Sequence, residues 1–264
     1  MSAKLFSLKG RTALITGATN GIGQYMAVGL YEAGAEVIII HRPSTDPEPT
    51  RKLVEESSES NTTKIKFIVA DLESLPIEDI DSKIIEESVK LSDQGKVDIL
   101  VNNAGIQYRS KFEEADNKEI DRVLHVNLIF PIQLTKSFGS YLIKNNIKGH
   151  VVMTCSLLSF QGGLYTVPYS TSKGGLLQFL KAIANEWAPL GIHVNGIAPG
   201  YIQTKLTKKL EEDEVRNRQI SERIPYGRWG KPEDFKGPVV FLCSKASDYV
   251  FGECLVVDGG WMSR

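Results

Sequence analysis

Apolar and polar positions along this chain follow two periods that take turns. Short, almost continuous apolar runs at Thr12–Thr16, Val37–His41, Lys64–Ala70, Asp98–Val101, His150–Thr154, His193–Ala198 and Leu255–Val257 predict strands covered on both faces. Between them, apolar residues recur at helical spacing over Ile22–Ala33, Ile80–Ser92, Lys118–Lys144, Pro168–Ala188 and Glu233–Leu242. Strand–helix alternation predicts an α/β fold with a mainly parallel sheet and helices on both of its faces. There is no internal repeat, low-complexity block or interdomain linker, so residues 1–264 read as one unit. Two segments break the pattern: Arg42–Thr50, rich in proline and charge, and Tyr201–Gly230, with Lys208, Lys209, Glu211, Glu212, Asp213 and Glu214. The charge run reads as a solvated helix face or as a mobile lid over a substrate.

Composition removes several function classes. A hydrophobic content of 42% and a charged content of 24% suit a soluble globular protein. A formal net charge of −1 argues against a nucleic-acid partner, which needs a clustered basic excess. Apolar runs such as Val37–Ile40 and Ile65–Val69 are too short to span a bilayer, and the start, Met1 to Ser7, has no core of signal-peptide length. Cys155, Cys243 and Cys254 have no metal spacing, and their odd number does not suggest a disulfide framework, so a cytoplasmic location is expected. His41, His125, His150 and His193 are scattered, and no metal site is expected.

The chemistry begins after the first strand. Gly17, Gly21 and Gly23 have the spacing G-x-x-x-G-x-G, which allows a tight turn and brings backbone N–H groups to a pyrophosphate at a helix N-terminus. Thr19, Asn20 and Ile22 belong to the same candidate dinucleotide loop. After the second strand the chain reads His41-Arg42-Pro43-Ser44, with no acid to hold an adenine ribose hydroxyl. Arg42 would meet the 2′-phosphate of NADP, with Ser44 helping, or it is an ordinary solvated arginine. The missing carboxylate favours NADP, with NAD possible. Asp71, with Leu72 beside it, would accept from the adenine amino group or cap a strand-end turn; Asn103, Ala104 and Gly105 would let the backbone lie against the cofactor.

Tyr169 and Lys173 stand four residues apart, thirteen and more residues after Ser156. An ammonium one helical turn away favours a phenolate, and a serine hydroxyl can hold a carbonyl while the phenol gives or takes its proton. The spacing is cheap, since Tyr201 and Lys205 repeat it, but those follow Pro199-Gly200 and lack the serine. Pro168 instead places Tyr169 at a helix start, where the helix dipole also favours a phenolate. No G-x-S-x-G elbow accompanies Ser156, which argues against a hydrolase, and Cys155 reads as a strand-end core thiol.

Thr16–Gly23, Asn102–Gly105, Asn127, Ser156, Tyr169, Lys173 and Pro199-Gly200 together resemble the short-chain dehydrogenase/reductases in order and spacing. The resemblance implies a single Rossmann-type doubly wound domain, a seven-stranded sheet and a homotetramer acting on a small-molecule substrate. It makes Tyr169 the acid/base, Ser156 the orienting hydroxyl, Lys173 the ribose ligand that lowers the Tyr169 pKa, and Asn127 the holder of a relay water. It also places Pro199, Gly200, Ile202 and Thr204 against the cofactor. Ser159–Gly163, Ala184–Ala188, Arg223-Ile224-Pro225, Gly227–Gly230 and Val257–Trp261 narrow this resemblance to the 2-deoxy-D-gluconate 3-dehydrogenases, also described as 2-dehydro-3-deoxy-D-gluconate 5-dehydrogenases. That implies oxidation of a secondary alcohol, or reduction of a ketone, on a sugar acid. Arg42–Thr50 and the residues around Tyr108 depart from those enzymes, which are mostly linked with NAD. A carboxylate substrate needs a cation: Arg109 is the candidate, or else a surface arginine, and Gln161 could bond a hydroxyl. The alternatives are a reductase of ketoses or 3-oxoacyl thioesters, or a non-catalytic dinucleotide-binding protein.

Overall fold

The computed structural model describes residues 2–58 and 62–264; Met1, part of the start that was read for a leader, lies outside the described residues. Seven strands form one sheet: β1 (Thr12–Thr16), β2 (Glu36–His41), β3 (Lys66–Val69), β4 (Ile99–Asn102), β5 (Gly149–Thr154), β6 (Ile192–Pro199) and β7 (Cys254–Val257). Their order is β3-β2-β1-β4-β5-β6-β7, and every neighbouring pair is parallel. The central strand β1 sets Ala13 against Val37 on one side and Ile99 on the other. Chain order therefore reverses between β1 and β4, and the crevice outside their carboxyl ends is where open α/β sheets take ligands.

Helices cover the sheet in sequence order. They are α1 (Ser2–Leu5), α2 (Gly21–Glu32), α3 (Glu48–Glu55), α4 (Glu87–Leu91), α5 (Asn117–Leu124), α6 (Phe130–Lys144), α7 (Val167–Trp187), α8 (Lys208–Glu212), α9 (Glu214–Arg223) and α10 (Lys236–Cys243). Successive strand residues point to opposite faces, so each strand feeds two cores. Leu14, Ile38, Leu100 and Val151 join Phe130, Leu134 and Phe138 of α6 and Leu176 and Leu180 of α7. Ala13, Ile39, Val101 and Val152 face the other way, against Met26 and Leu30 of α2 and Val239 and Leu242 of α10. Burying both faces explains why these strands read as unbroken apolar runs.

The helix expected over 118–144 is one rod with a fault in it. Between α5 and α6, His125–Ile129 widens to a π turn, where the Phe130 N–H reaches the His125 carbonyl. Pro131 accounts for the fault: it has no N–H to offer the Asn127 carbonyl four residues back. The expected helix over 80–92 is likewise divided, into a π turn at Asp81–Glu86 and α4, and the helix expected from Glu233 opens with a 3₁₀ turn at Pro232–Phe235. Strand β3 is shorter than its apolar run predicts. The two irregular segments gain structure: Arg42–Thr50 leads into α3, and the charge run of Tyr201–Gly230 forms α8 and α9. Asp213 caps α9 by accepting from the N–H groups of Val215 and Arg216. Lys208, Lys209, Glu212 and Glu214 are exposed, and Ile220 is buried against Leu157, Ile224, Trp229 and Trp261. Among the described residues no helix is long and apolar enough to cross a membrane.

Candidate active site

The glycine loop leaves β1 with Gly17 at φ +67° and Gly21 at φ +58°, a region L side chains avoid. A side-chain carbon on Gly17 would stand 2.8 Å from the Ala104 Cα, and one on Gly23 would overlap the Asn103 amide. The loop is thus clamped to the end of β4. Thr16 Oγ1 accepts the N–H groups of Asn103 and Ala104, both at 3.0 Å, while Asn103 Nδ2 donates to the carbonyls of Thr16 and Gly17 at 3.1 and 3.0 Å. Asn20 precedes α2 in extended conformation without a side-chain cap, so Thr19 to Ile22 lead straight into the helix N-terminus. Thr204 faces this loop from beyond β6, with its methyl 3.5 Å from where a Gly21 side chain would begin; Ile202 is buried behind it. Gly200, after Pro199, has no room for a side chain beside the Asp258 backbone.

The remaining cofactor candidates ring the same edge. Arg42 and Ser44 are exposed just past β2. Asp71 caps the turn after β3, its Oδ1 accepting the Glu73 N–H at 3.1 Å, and Leu72 is buried beside it. This cradle of free backbone, small residues and one external guanidinium fits a dinucleotide with its pyrophosphate at α2.

Deeper in the crevice, β5 and α7 bring Ser156, Tyr169 and Lys173 together, with the Ser156 hydroxyl near enough to the Tyr169 phenol to favour its ionised form. Tyr169 is the third residue of α7, after Pro168, as the sequence predicts. Lys173 is 4% exposed, and its Nζ donates to the Thr154 carbonyl at 2.6 Å and lies 5.8 Å from the Tyr169 ring centre. Burial pulls the Lys173 ammonium down to about 8, against the Cys155 and Cys254 thiols close by. Burial also pushes the Tyr169 phenol above its ordinary value, with the Ser156 hydroxyl and the Arg109 charge pulling the other way.

Asn127 occupies the π turn. Its amide closes a two-way clasp on Ile106, with Oδ1 accepting the N–H and Nδ2 donating to the carbonyl, each at 2.8 Å, and Nδ2 also lies 3.3 Å from Ser172 Oγ. Around Gly105 the groups converge: a side chain there would begin 3.4 Å from Asn127 Oδ1 and 3.7 Å from Lys173 Nζ. Arg109 is exposed on the following loop, and Gln161 is half-buried after the Ser156 turn. Those two loops are joined by the Ser110 N–H on the Tyr165 carbonyl at 3.1 Å.

Sequence reasoning missed the residues that hold the candidates in place. Ser159 accepts the Ser156 N–H at 3.2 Å and donates to the Lys173 carbonyl at 2.8 Å, tying one candidate to the other. Thr16 and Thr154 act through a strand-end hydroxyl and a carbonyl, which carry no motif. Pro131 is the one legible signal, since it marks the break that presents Asn127. Cys155 is a core thiol beneath the site: its sulfur and that of Cys254 meet over Gly196. They reach across β6 from β5 and β7, whose backbones stand roughly 9.6 Å apart, too far for a disulfide.

The profile of the short-chain dehydrogenases matches residues 11–215. The chain belongs to the short-chain dehydrogenase family. This member is 45% identical over 259 residues to the 2-dehydro-3-deoxy-D-gluconate 5-dehydrogenase of Bacillus subtilis, covering 98% of this chain and 97% of that enzyme. It is 39% identical to the Escherichia coli enzyme of the same name over the whole of both chains. Among solved structures it is similar to a provisionally assigned 2-deoxy-D-gluconate 3-dehydrogenase of Agrobacterium tumefaciens with bound NADP. The TM-score is 0.89 at 43% identity, covering 98% of this chain and 99% of the other. A gluconate 5-dehydrogenase of Burkholderia cenocepacia, solved with NADP and tartrate, gives a TM-score of 0.89 at 32% identity over the full length of both.

Proposed function

We propose that this short-chain dehydrogenase interconverts a secondary alcohol and a ketone on a sugar acid such as a deoxygluconate, with NADP(H) preferred and NAD(H) possible. The observation that carries the reading is the convergence of the Ser156 hydroxyl and the Tyr169 phenol beside the buried Lys173, opening on a dinucleotide cradle. The relatives named for deoxygluconates and the relatives solved with NADP support the substrate class and the cofactor. The cofactor would lie across Gly17–Gly23, Asn103–Gly105, Asp71-Leu72 and the Pro199–Thr204 turn, with Arg42 at the 2′-phosphate. When bound, it supplies the hydride acceptor or donor.

Ser156 Oγ holds the substrate oxygen, and Tyr169 Oη takes the hydroxyl proton in oxidation or gives one back in reduction. Lys173, still largely protonated near pH 7 with a pKa of about 8, binds the nicotinamide ribose and stabilises the phenolate as it forms. Asn127, fixed by its clasp on Ile106, holds a water that passes the proton outward. Arg109 pairs with the substrate carboxylate, and Gln161 bonds a hydroxyl. Residues 201–230 act as a lid: α8 and α9 begin just past Thr204 and share an apolar cluster with Leu157, the neighbour of Ser156. The protein works as a single domain, in a cytoplasmic homotetramer.

Initial rates with NADPH and NADH, each against sugar acids, ketoses and 3-oxoacyl thioesters, test this reading. Turnover should be greatest with a sugar acid and NADPH, and Tyr169→Phe should lose about 10²- to 10⁴-fold in kcat. A preference for neutral or acyl ketones, or substantial residual activity of Tyr169→Phe, would refute it.

A further inference from the structure

The segment after β2 is joined to the glycine loop through one buried hydroxyl. Thr50, in the first turn of α3, is fully shielded from solvent. Its Oγ1 accepts from Gln24 Nε2 at 2.8 Å and donates to the Thr19 carbonyl at 3.2 Å. Gln24 lies on α2, and Thr19 lies in the loop that precedes it. A single side chain therefore links three parts of the cradle: the glycine loop, the helix it feeds, and the stretch that displays Arg42 and Ser44.

That stretch has few other supports. Arg42, Pro43 and Ser44 are exposed; the Thr45 N–H closes a turn on the Arg42 carbonyl at 3.0 Å, and Asp46 caps the Glu48 N–H at 3.0 Å. Both bonds are internal to the segment. Upstream, the Gly17 N–H reaches the Ile40 carbonyl at 3.3 Å and the His41 ring nitrogen lies 3.0 Å from the Arg42 carbonyl. The β2 end is thus held near the glycine loop, and the far end of the turn depends on α3. Arg51 anchors α3 on another side, through the Ile65 carbonyl at 2.9 Å and the Phe67 ring at 4.7 Å, toward β3. Thr50 supplies the tie toward the pyrophosphate.

We propose that Thr50 is a positioning residue for cofactor choice, its hydroxyl holding the Arg42–Ser44 turn at the distance from the glycine loop that a 2′-phosphate requires. The proposal rests on the NADP reading above. NADH has no phosphate there and draws nothing from that turn, so loosening the tie acts mainly on NADPH. Thr50→Val keeps the shape and leaves a half-buried carbonyl and amide without their partner.

Dissociation constants for NADPH and NADH, from titration of the reduced nicotinamide fluorescence, are compared for the wild type, Thr50→Val, Thr50→Ser and Arg42→Ala. Thr50→Val should weaken NADPH by about tenfold, the equivalent of one hydrogen bond, and NADH by less than threefold. Thr50→Ser should restore NADPH binding, and Thr50→Val should add little once Arg42→Ala is present. Gln24→Met, which removes one of the two bonds from a half-buried position, should move the same ratio by a smaller step and serves if Thr50→Val does not fold. If Thr50→Val and Gln24→Met weaken both cofactors equally, or neither, while Arg42→Ala changes the ratio, the proposal is overturned and the NADP reading survives. If Arg42→Ala leaves the ratio unchanged, both fall.

Discussion

At the amino-terminal end of the sheet, buried polar groups are paired several times over. Glu36 accepts from the Thr12 hydroxyl at 3.1 Å, the Ser92 hydroxyl at 2.9 Å and the Asp93 N–H, and it is bridged to Lys66. Asp98 faces Arg11 at 2.7 Å and Lys96 at 3.2 Å, and takes the Thr12 N–H at 3.0 Å. At the carboxyl-terminal end the same strands run into Gly17, Gly23 and Gly200, where a side chain would strike neighbouring backbone, and Gly105, which leaves room beside Asn127 and Lys173. One end is built by adding partners and the other by subtraction. A ligand needs room and unspent hydrogen-bonding capacity, and a fold can leave these open at one edge when the opposite edge is tied down.

Removing a partner at the tied end should produce the largest effect. Glu36→Ala leaves Lys66 with Asp93 and the Leu91 carbonyl, but it takes away the carboxylate that the Thr12 and Ser92 hydroxyls and the Asp93 N–H share, a loss of about 3 kcal/mol for hydrogen bonds to a charged group. Denaturant unfolding would read that loss, while the folded variant should bind NADPH as the wild type does. If cofactor affinity fell in step with stability, the two ends would not be separable. Filling space at the open end should have the opposite signature. Gly23→Ala pushes a methyl into the Asn103 amide and the Gly17 carbonyl, an overpacking of about 1–3 kcal/mol. It should appear chiefly as cofactor affinity weakened about ten- to a hundredfold.

The same contrast explains what could be read from the chain. Strands buried on both faces announce themselves as apolar runs, and Tyr169, Lys173, Ser156 and the glycines are chemically distinctive, so both were legible in order and spacing. The supports were not. Ser159, Thr16 and Thr50 act through hydroxyls whose partners lie 14, 87 and 31 residues away in sequence, and a serine or threonine looks the same whether it caps a turn or locks a site. The burial around the phenol and its lysine was illegible for a related reason. A four-residue spacing places Lys173 near Tyr169, but it does not reveal that the ammonium is buried on the Thr154 carbonyl. The acidic network at Glu36 and Asp98 passed unnoticed because isolated acids at strand starts have no pattern of their own.

The smallest effect expected of this comparison is a pH dependence that belongs to the tied end alone. His150 is near the start of β5, with its ring stacked 4.5 Å from His193, which in turn stacks 4.1 Å from Phe251. Its Nδ1 lies 3.0 Å from the Leu242 carbonyl, as a neutral ring donating there requires. Burial, with the Arg11 charge and His193 adding to it, pulls the His150 pKa down to about 3. An unfolded histidine titrates near 6.5, so between about 6.5 and 3 the unfolded chain binds the extra proton and stability falls as the pH falls. At pH 5.5, one unit below the unfolded value, the loss from this group is about 1.4 kcal/mol. His150→Phe keeps a ring in the stack but has nothing to titrate, so its stability deficit relative to wild type should shrink by that amount between pH 7.5 and pH 5.5. NADPH affinity in folded protein should show no matching difference between the two over the same range. A deficit that stays constant with pH would mean that His150 is not held neutral, and a parallel change in affinity would mean that the two ends of the sheet are coupled.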